Sequence, residues 1–296
     1  DVNVKPEETS TVKSSDIPQN NPISLILQKL DLETGEGKPQ GNSSLANAEF
    51  TIKFYTELSD TDPAASGKKP VRTWVMKTNA SGEMHFTKDY FVSGDEFYYA
   101  SDKKTVCLPI GTVTIQETKA PKNYFLNETV FVQKITGSGS QESVSIYNAS
   151  NVEEQVYRGG VKVQKRDLET QDTVSQGNAT LAGATFSITT LNEQPVWVNG
   201  KLYQKDEMCL TIITDENGLA STEEKALPVG HYRIEETQAP TGYLKDGART
   251  LEFEITKDGE MVDLTSKDTS IANQVIRGGV KVQKRDIETG ETKPQG

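Results

Sequence analysis

The sequence predicts an all-β chain of two complete tandem β-sandwich domains strung beads-on-a-string, followed by the start of a third. Three observations carry this. Short runs of alternating apolar and polar residues rich in Thr, Val and Ile recur between Gly, Asn, Asp and Pro clusters. A hydrophobic fraction of 34% over 296 residues is lean for one large α/β enzyme and suits narrow two-layer sandwiches. The chain also repeats itself. QKLDLET at 28–34, QKRDLET at 164–170 and QKRDIET at 283–289 match, each followed by Gln-Gly at the same offset.

The repeats set the boundaries. SLANAEFTI at 44–52 aligns with TLAGATFSI at 180–188, and LPIGTVTIQETKAPKNY at 108–124 aligns with LPVGHYRIEETQAPTGY at 227–243. Where the copies differ, Gly183 stands for Asn47 and Gly242 for Asn123, an exchange expected where φ is positive. Each copy closes on SIYN (145–148) or SIAN (270–273) and then reaches an Arg-Gly-Gly joint. The expected units are an extended linker over 1–22, domains over 23–157 and 158–276, and the first strand of a third repeat over 277–296. The linker reading rests on Glu, Ser, Thr, Asn and Pro without apolar periodicity.

Charge and composition exclude several functions. The formal net charge is −11 and no Lys/Arg cluster offers a face to phosphates, so no nucleic-acid partner is expected. No apolar window approaches membrane-spanning length, so no membrane insertion is expected in this segment, which reads as an excised piece of a longer protein. Cys107 and Cys209 fall one to each repeat at non-equivalent places, which leaves no intradomain disulfide and suggests two buried small hydrophobes. His85 and His231 lack partners at ligand spacing, so no metal site, Ser-His-Asp triad or cofactor is expected. The acidic turns at 31–36 and 214–218 lack an EF-hand pattern and read as turn formers.

Parity along the strands singles out three polar residues per repeat. Val161 and Val163 lead in phase to Lys165, as Leu25 and Leu27 lead to Lys29. Tyr232 and Ile234 put Glu236 in phase, and Val113 with Ile115 does the same for Glu117. Ile271 is in phase with Asn273, and Val144 and Ile146 with Asn148. Taken singly, each fits a strand end with its head group in water, or a buried Lys–Glu ion pair beside a capping Asn. Their recurrence at matching places points instead to amide exchange. A desolvated lysine is held neutral and nucleophilic, a buried glutamate stays protonated, and attack on the Asn carbonyl with loss of ammonia leaves a Lys–Asn isopeptide bond. This is a single self-maturation step, so no turnover enzyme is expected.

With those residues placed, the chain resembles the Cna-protein B-type family, the prealbumin-like domains of Gram-positive adhesins and SpaA-type pilins. The resemblance rests on a first strand ending in K-x-D, then L-x-x-A-x-F, then the E-T-x-A-P-x-x-Y stretch, then a closing strand with Asn. It implies Ig-like/prealbumin-like (transthyretin-like) sandwiches, with Lys29 and Lys165 forming the bonds, Glu117 and Glu236 catalytic, and Asn148 and Asn273 accepting. Aligning backward from Arg-Gly-Gly puts Glu154 opposite Asn273, so Asn148 and Glu154 both stand as candidates in the first repeat. Lys284 resembles a third bond-forming lysine and is expected unbonded. The implied role is a stalk of an extracellular, cell-wall-attached adhesin or pilin-like protein, contacting neighbouring repeats of the same chain. The alternative is direct binding of a host extracellular-matrix protein or glycan through variable aromatic loops, with Trp74 and Trp197 as candidate ligand contacts.

Overall fold

The computed structural model describes residues 20–22, 26–100, 102–136, 143–147, 156–245 and 249–292. Nearly all regular structure among them is strand, in two successive sandwiches.

In the second repeat the strands Met208–Ile213, Thr185–Thr190, Gly230–Gln238 and Leu251–Ile255 form one antiparallel sheet in that spatial order. The facing sheet is built on the long strand Arg158–Asp167. It pairs antiparallel with Leu219–Ser221 and Leu227–Pro228, and parallel with Met261–Leu264 and Ile271–Asn273. Val161, Val163, Phe186, Ile188, Tyr232 and Ile234 meet between the layers. Burying such side chains is worth about 1.5–3 kcal/mol each.

The first repeat follows the same plan. Glu49–Tyr55 lies between Gly111–Lys119 and Arg72–Lys77 in a five-stranded sheet, opposite Ile26–Leu30, which pairs parallel with Ser143–Tyr147. The expected backbone exchange is present: Asn47 and Asn123 have φ of 61° and 64°, and Gly183 and Gly242 of 82° and 88°.

One expectation about the boundaries needs correction. Asn20–Pro22, placed in the linker, pairs antiparallel with Val106–Pro109, so the first repeat starts earlier. Backbone pairing does not require the apolar alternation used to place that boundary. Residues 1–19 lie outside the described residues. Residues 277–286, the opening stretch of an unfinished repeat that is expected to fray or attach opportunistically, have no strand partner among the described residues. Val280 and Val282 match the buried Val161 and Val163 yet are 91% and 84% exposed, because no second layer covers them. The Asp-x-Glu-Thr turn that follows still forms, since it is local: Asp286 Oδ1 accepts from the amides of Glu288 and Thr289. The two repeats also touch. Gly41 N donates to Pro195 O at 3.1 Å and Asn42 N to Val229 O at 3.0 Å across the joint.

Candidate functional site: a buried Lys–Glu–Asn cluster between first and last strands

Alternation on Arg158–Asp167 turns Val161, Val163, Lys165 and Asp167 to the core, so Lys165 is fully buried at the end of an apolar row. The parallel register sets Lys165 opposite Ile271 and Asp167 opposite Asn273. Asn273 therefore lies two residues along on the same face as Lys165, within side-chain reach. Glu236 arrives from the facing sheet on Gly230–Gln238 and is also buried.

The three head groups meet. Lys165 Nζ donates to Asn273 Oδ1 and, at 3.1 Å, to Ile271 O. Glu236 Oε1 stands 3.4 Å from Lys165 Nζ, while Glu236 Oε2 accepts from Asn273 Nδ2 at 2.6 Å. Asn273 Nδ2 also donates to Leu244 O at 2.6 Å. Burial lowers the Lys165 amine to about 8, only partly offset by the Glu236 charge. Burial likewise raises the Glu236 carboxyl, against the pull of Lys165. Both shifts favour the uncharged amine and acid, the forms amide exchange requires. In this placement Glu236 reaches the amide nitrogen of Asn273, while the Asn273 carbonyl oxygen accepts from Lys165. One carboxyl thus faces both the lysine amine and the asparagine amide nitrogen.

In the first repeat Lys29 and Glu117 are buried and joined at 2.6 Å between Nζ and Oε1. Glu117 Oε2 accepts from Asn127 N at 2.7 Å. Burial again lowers the lysine and raises the glutamate. The strand Ser143–Tyr147 places Ile146 opposite Lys29, the register Ile271 has opposite Lys165. Asn148 and Glu154 lie outside the described residues.

Sequence reasoning missed a second buried cluster beside the first. Asp167, two residues past the lysine, accepts from the amides of Glu169 and Thr170, from Gln176 Nε2 and from Tyr243 Oη. Burial alone would raise the Asp167 carboxyl, but these hydrogen bonds together hold it below its ordinary value. Asp31 repeats the arrangement with Glu33, Thr34, Gln40 and Tyr124. The signal was present in the K-x-D, the Gln at a constant offset and the Tyr closing E-T-x-A-P-x-x-Y. It ties the start of the repeat to the segment that follows the strand carrying the glutamate.

The aromatic candidates fall elsewhere. Trp74 is fully buried, edge-on to Phe86 and stacked with Phe97, so it is core and not a ligand contact. Its ring belongs to the core cluster that also holds Phe50, Met76 and Leu108. Trp197 is half-buried, and its main chain serves the joint: Trp197 N donates to Gln40 Oε1 at 2.7 Å and its carbonyl accepts from Arg158. Cys107 and Cys209 are buried free thiols. The turn carboxylate Asp215 accepts from the amides of Asn217 and Leu219. Among the described residues no helix is long and apolar enough to cross a membrane.

Fold and site together define a class: tandem all-β domains with a buried Lys–Glu pair in each, joined in the second by Asn273 of the last strand. The chain belongs to the SpaA prealbumin-like fold domain family, whose model matches residues 27–150 and 161–270. No curated protein matches it. Among solved structures it is similar to the Bacillus anthracis TIE protein, with 21% identity, a TM-score of 0.47, and coverage of 87% of this chain and 34% of that one. It is also similar to a Streptococcal ancillary pilin, with 18% identity, a TM-score of 0.28, and coverage of 86% and 62%. The minor pilin of Streptococcus agalactiae shares 18% identity at a TM-score of 0.31, over 89% of this chain and all of that one. The chain thus spans about a third of the first of these structures and under two thirds of the second.

Proposed function

We propose that these repeats are load-bearing spacers of an extracellular, cell-wall-associated surface protein, each closed by an autocatalytic Lys–Asn isopeptide bond. The observation that carries this reading is the contact of Glu236 with both reacting groups in a buried site. The Lys165 amine attacks Cγ of Asn273. Its proton passes to Glu236 Oε1, and the Glu236 proton passes from Oε2 to the departing Nδ2. Ammonia leaves, an Nζ–Cγ amide remains, and Glu236 is regenerated protonated. In the first repeat Lys29 and Glu117 are assigned the same roles. Counting two residues on from Ile146 makes Asn148 the acceptor, and this favours Asn148 over Glu154.

The bond joins the strand that enters a domain to the strand that leaves it, so tension bypasses the sandwich. It closes a loop of about 100 residues, which in the chain-entropy model of cross-links corresponds to about 4–5 kcal/mol. Intact-mass spectrometry tests the proposal. Two bonds remove about 34 Da in total from the chain, two ammonia molecules, and Glu117→Ala or Glu236→Ala restores one each. A full unmodified mass for the parent chain overturns it.

A further inference from the structure

The joint between the repeats is built from two complementary halves, and one half occurs twice. On the first repeat a Gln40-Gly41-Asn42 loop offers two amides to Pro195 O and Val229 O, and Gln40 Oε1 accepts from Trp197 N at 2.7 Å. The approach is close enough that a Cβ on Gly41, where φ is +54°, would stand 2.2 Å from Val229 O. Arg158 clamps the contact. Its Nη2 donates to both oxygens of Glu33 at 2.8 Å and to Trp197 O at 2.7 Å, and its Nη1 donates to Ala226 O at 3.0 Å.

The far end of the second repeat presents the same loop half. Gln176-Gly177-Asn178 stands where Gln40-Gly41-Asn42 does, held by the same Asp and Tyr network. The chain leaves in the same way: Ile276 N donates to Gly242 O at 2.8 Å, as Tyr157 N donates to Asn123 O at 2.9 Å. Arg277 Nε donates to Glu169 Oε1 at 3.0 Å, the counterpart of Arg158 on Glu33. What differs is cover. Arg277 is 64% exposed against 6% for Arg158. Nothing lies within 4 Å of a Cβ built on Gly177, whose φ of +59° matches that of Gly41. A groove of about 580 Å³ opens here, lined by Gln176, Gly177, Asn178, Gly242, Ile276 and Arg277.

We propose that this groove is the docking seat for another domain of the same kind, the one whose opening residues are Arg277–Asp286, and that the repeats stack head to tail through this one surface. The occupant must supply two backbone carbonyls at the Pro195 and Val229 positions and one amide at the Trp197 position. Residues 277–286 are identical to 158–167, so the strand that positions those groups in the observed joint is present. The docking does not depend on the isopeptide bond.

The test extends the full chain after Asp286 with a copy of residues 168–276, which regenerates a domain identical in sequence to the second repeat. Small-angle scattering then reports three domains with two like joints. Gly177→Asn keeps a residue suited to positive φ but fills the seat, and loosens only the second joint. Arg277→Ala weakens the same joint without touching the loop. Gly41→Asn loosens only the first. If the added domain, folded by circular dichroism, swings freely with Gly177 and Arg277 intact and neither variant changes the scattering, the seat does not exist. Glu236→Ala should remove the bond yet preserve stacking, which keeps failure of the cross-link distinct from failure of docking.

Discussion

Glu236 touches Lys165 with one carboxyl oxygen and Asn273 with the other, at 3.4 Å from Nζ and 2.6 Å from Nδ2. In the proposed exchange, a group so placed relays a proton from the lysine amine to the asparagine amide nitrogen. Glu236→Gln keeps the volume and a hydrogen bond but cannot act as an acid. It should leave the second repeat unbonded, with the mass higher by about 17 Da of retained ammonia, offset by about 1 Da from the substitution itself. The unbonded domain should lose about 4–5 kcal/mol in a denaturant titration.

The unbonded site should also show a distinctive pH profile. In Asn273→Ala no bond forms and Lys165 stays titratable. Its folded pKa of about 8 lies below the ordinary 10.5, so the unfolded chain binds more protons between those values and stability climbs as pH rises through that window. Glu236 acts oppositely: its raised pKa stabilises below the ordinary 4.5, and that contribution is lost as pH rises through the folded value. The bonded parent should lack the alkaline rise attributable to Lys165, because an amide does not titrate there. Equal alkaline slopes in urea midpoints for the two proteins would contradict the assignment.

The neighbouring Asp network is expected to be structural. Tyr243→Phe removes one donor to Asp167 and should cost about 1 kcal/mol, whereas Asp167→Ala strands several donors and should cost about 3 kcal/mol. Neither should prevent the loss of ammonia if the domain folds, which intact mass would show.

Trp74→Ala should cost about 3–5 kcal/mol from the core it shares with Phe86 and Phe97, measured by chemical denaturation. Surface presentation of the repeats should otherwise be unchanged.

Arg158→Ala removes the guanidinium from Glu33, Trp197 and Ala226 at the joint. A loss of about 1–3 kcal/mol is expected, together with independent melting of the two repeats in calorimetry. A variant that melts as the parent does would show that the clamp does not couple them.

Much of the site was legible before the fold. Side-chain direction on a strand depends only on the period of two, so Lys29, Lys165, Glu117, Glu236 and Asn273 could be assigned to the core side without knowing which strands pair. Repeats at constant offsets also determined the β class and the domain count, because a shared pattern of Gly, Asn and apolar residues demands a shared backbone. Parity says nothing about neighbours, however. Only the parallel pairing of Ile271–Asn273 with Arg158–Asp167 brought Asn273 to Lys165, and only sheet stacking carried Glu236 between them. Tertiary structure likewise buried Trp74, whose alternation fits a core or a surface loop equally until the rings that cover it, Phe86 and Phe97, are known. It also decided the joint, where Gly41 meets Val229 and Glu33 meets Arg158 across two domains through contacts that neither domain's own pattern encodes.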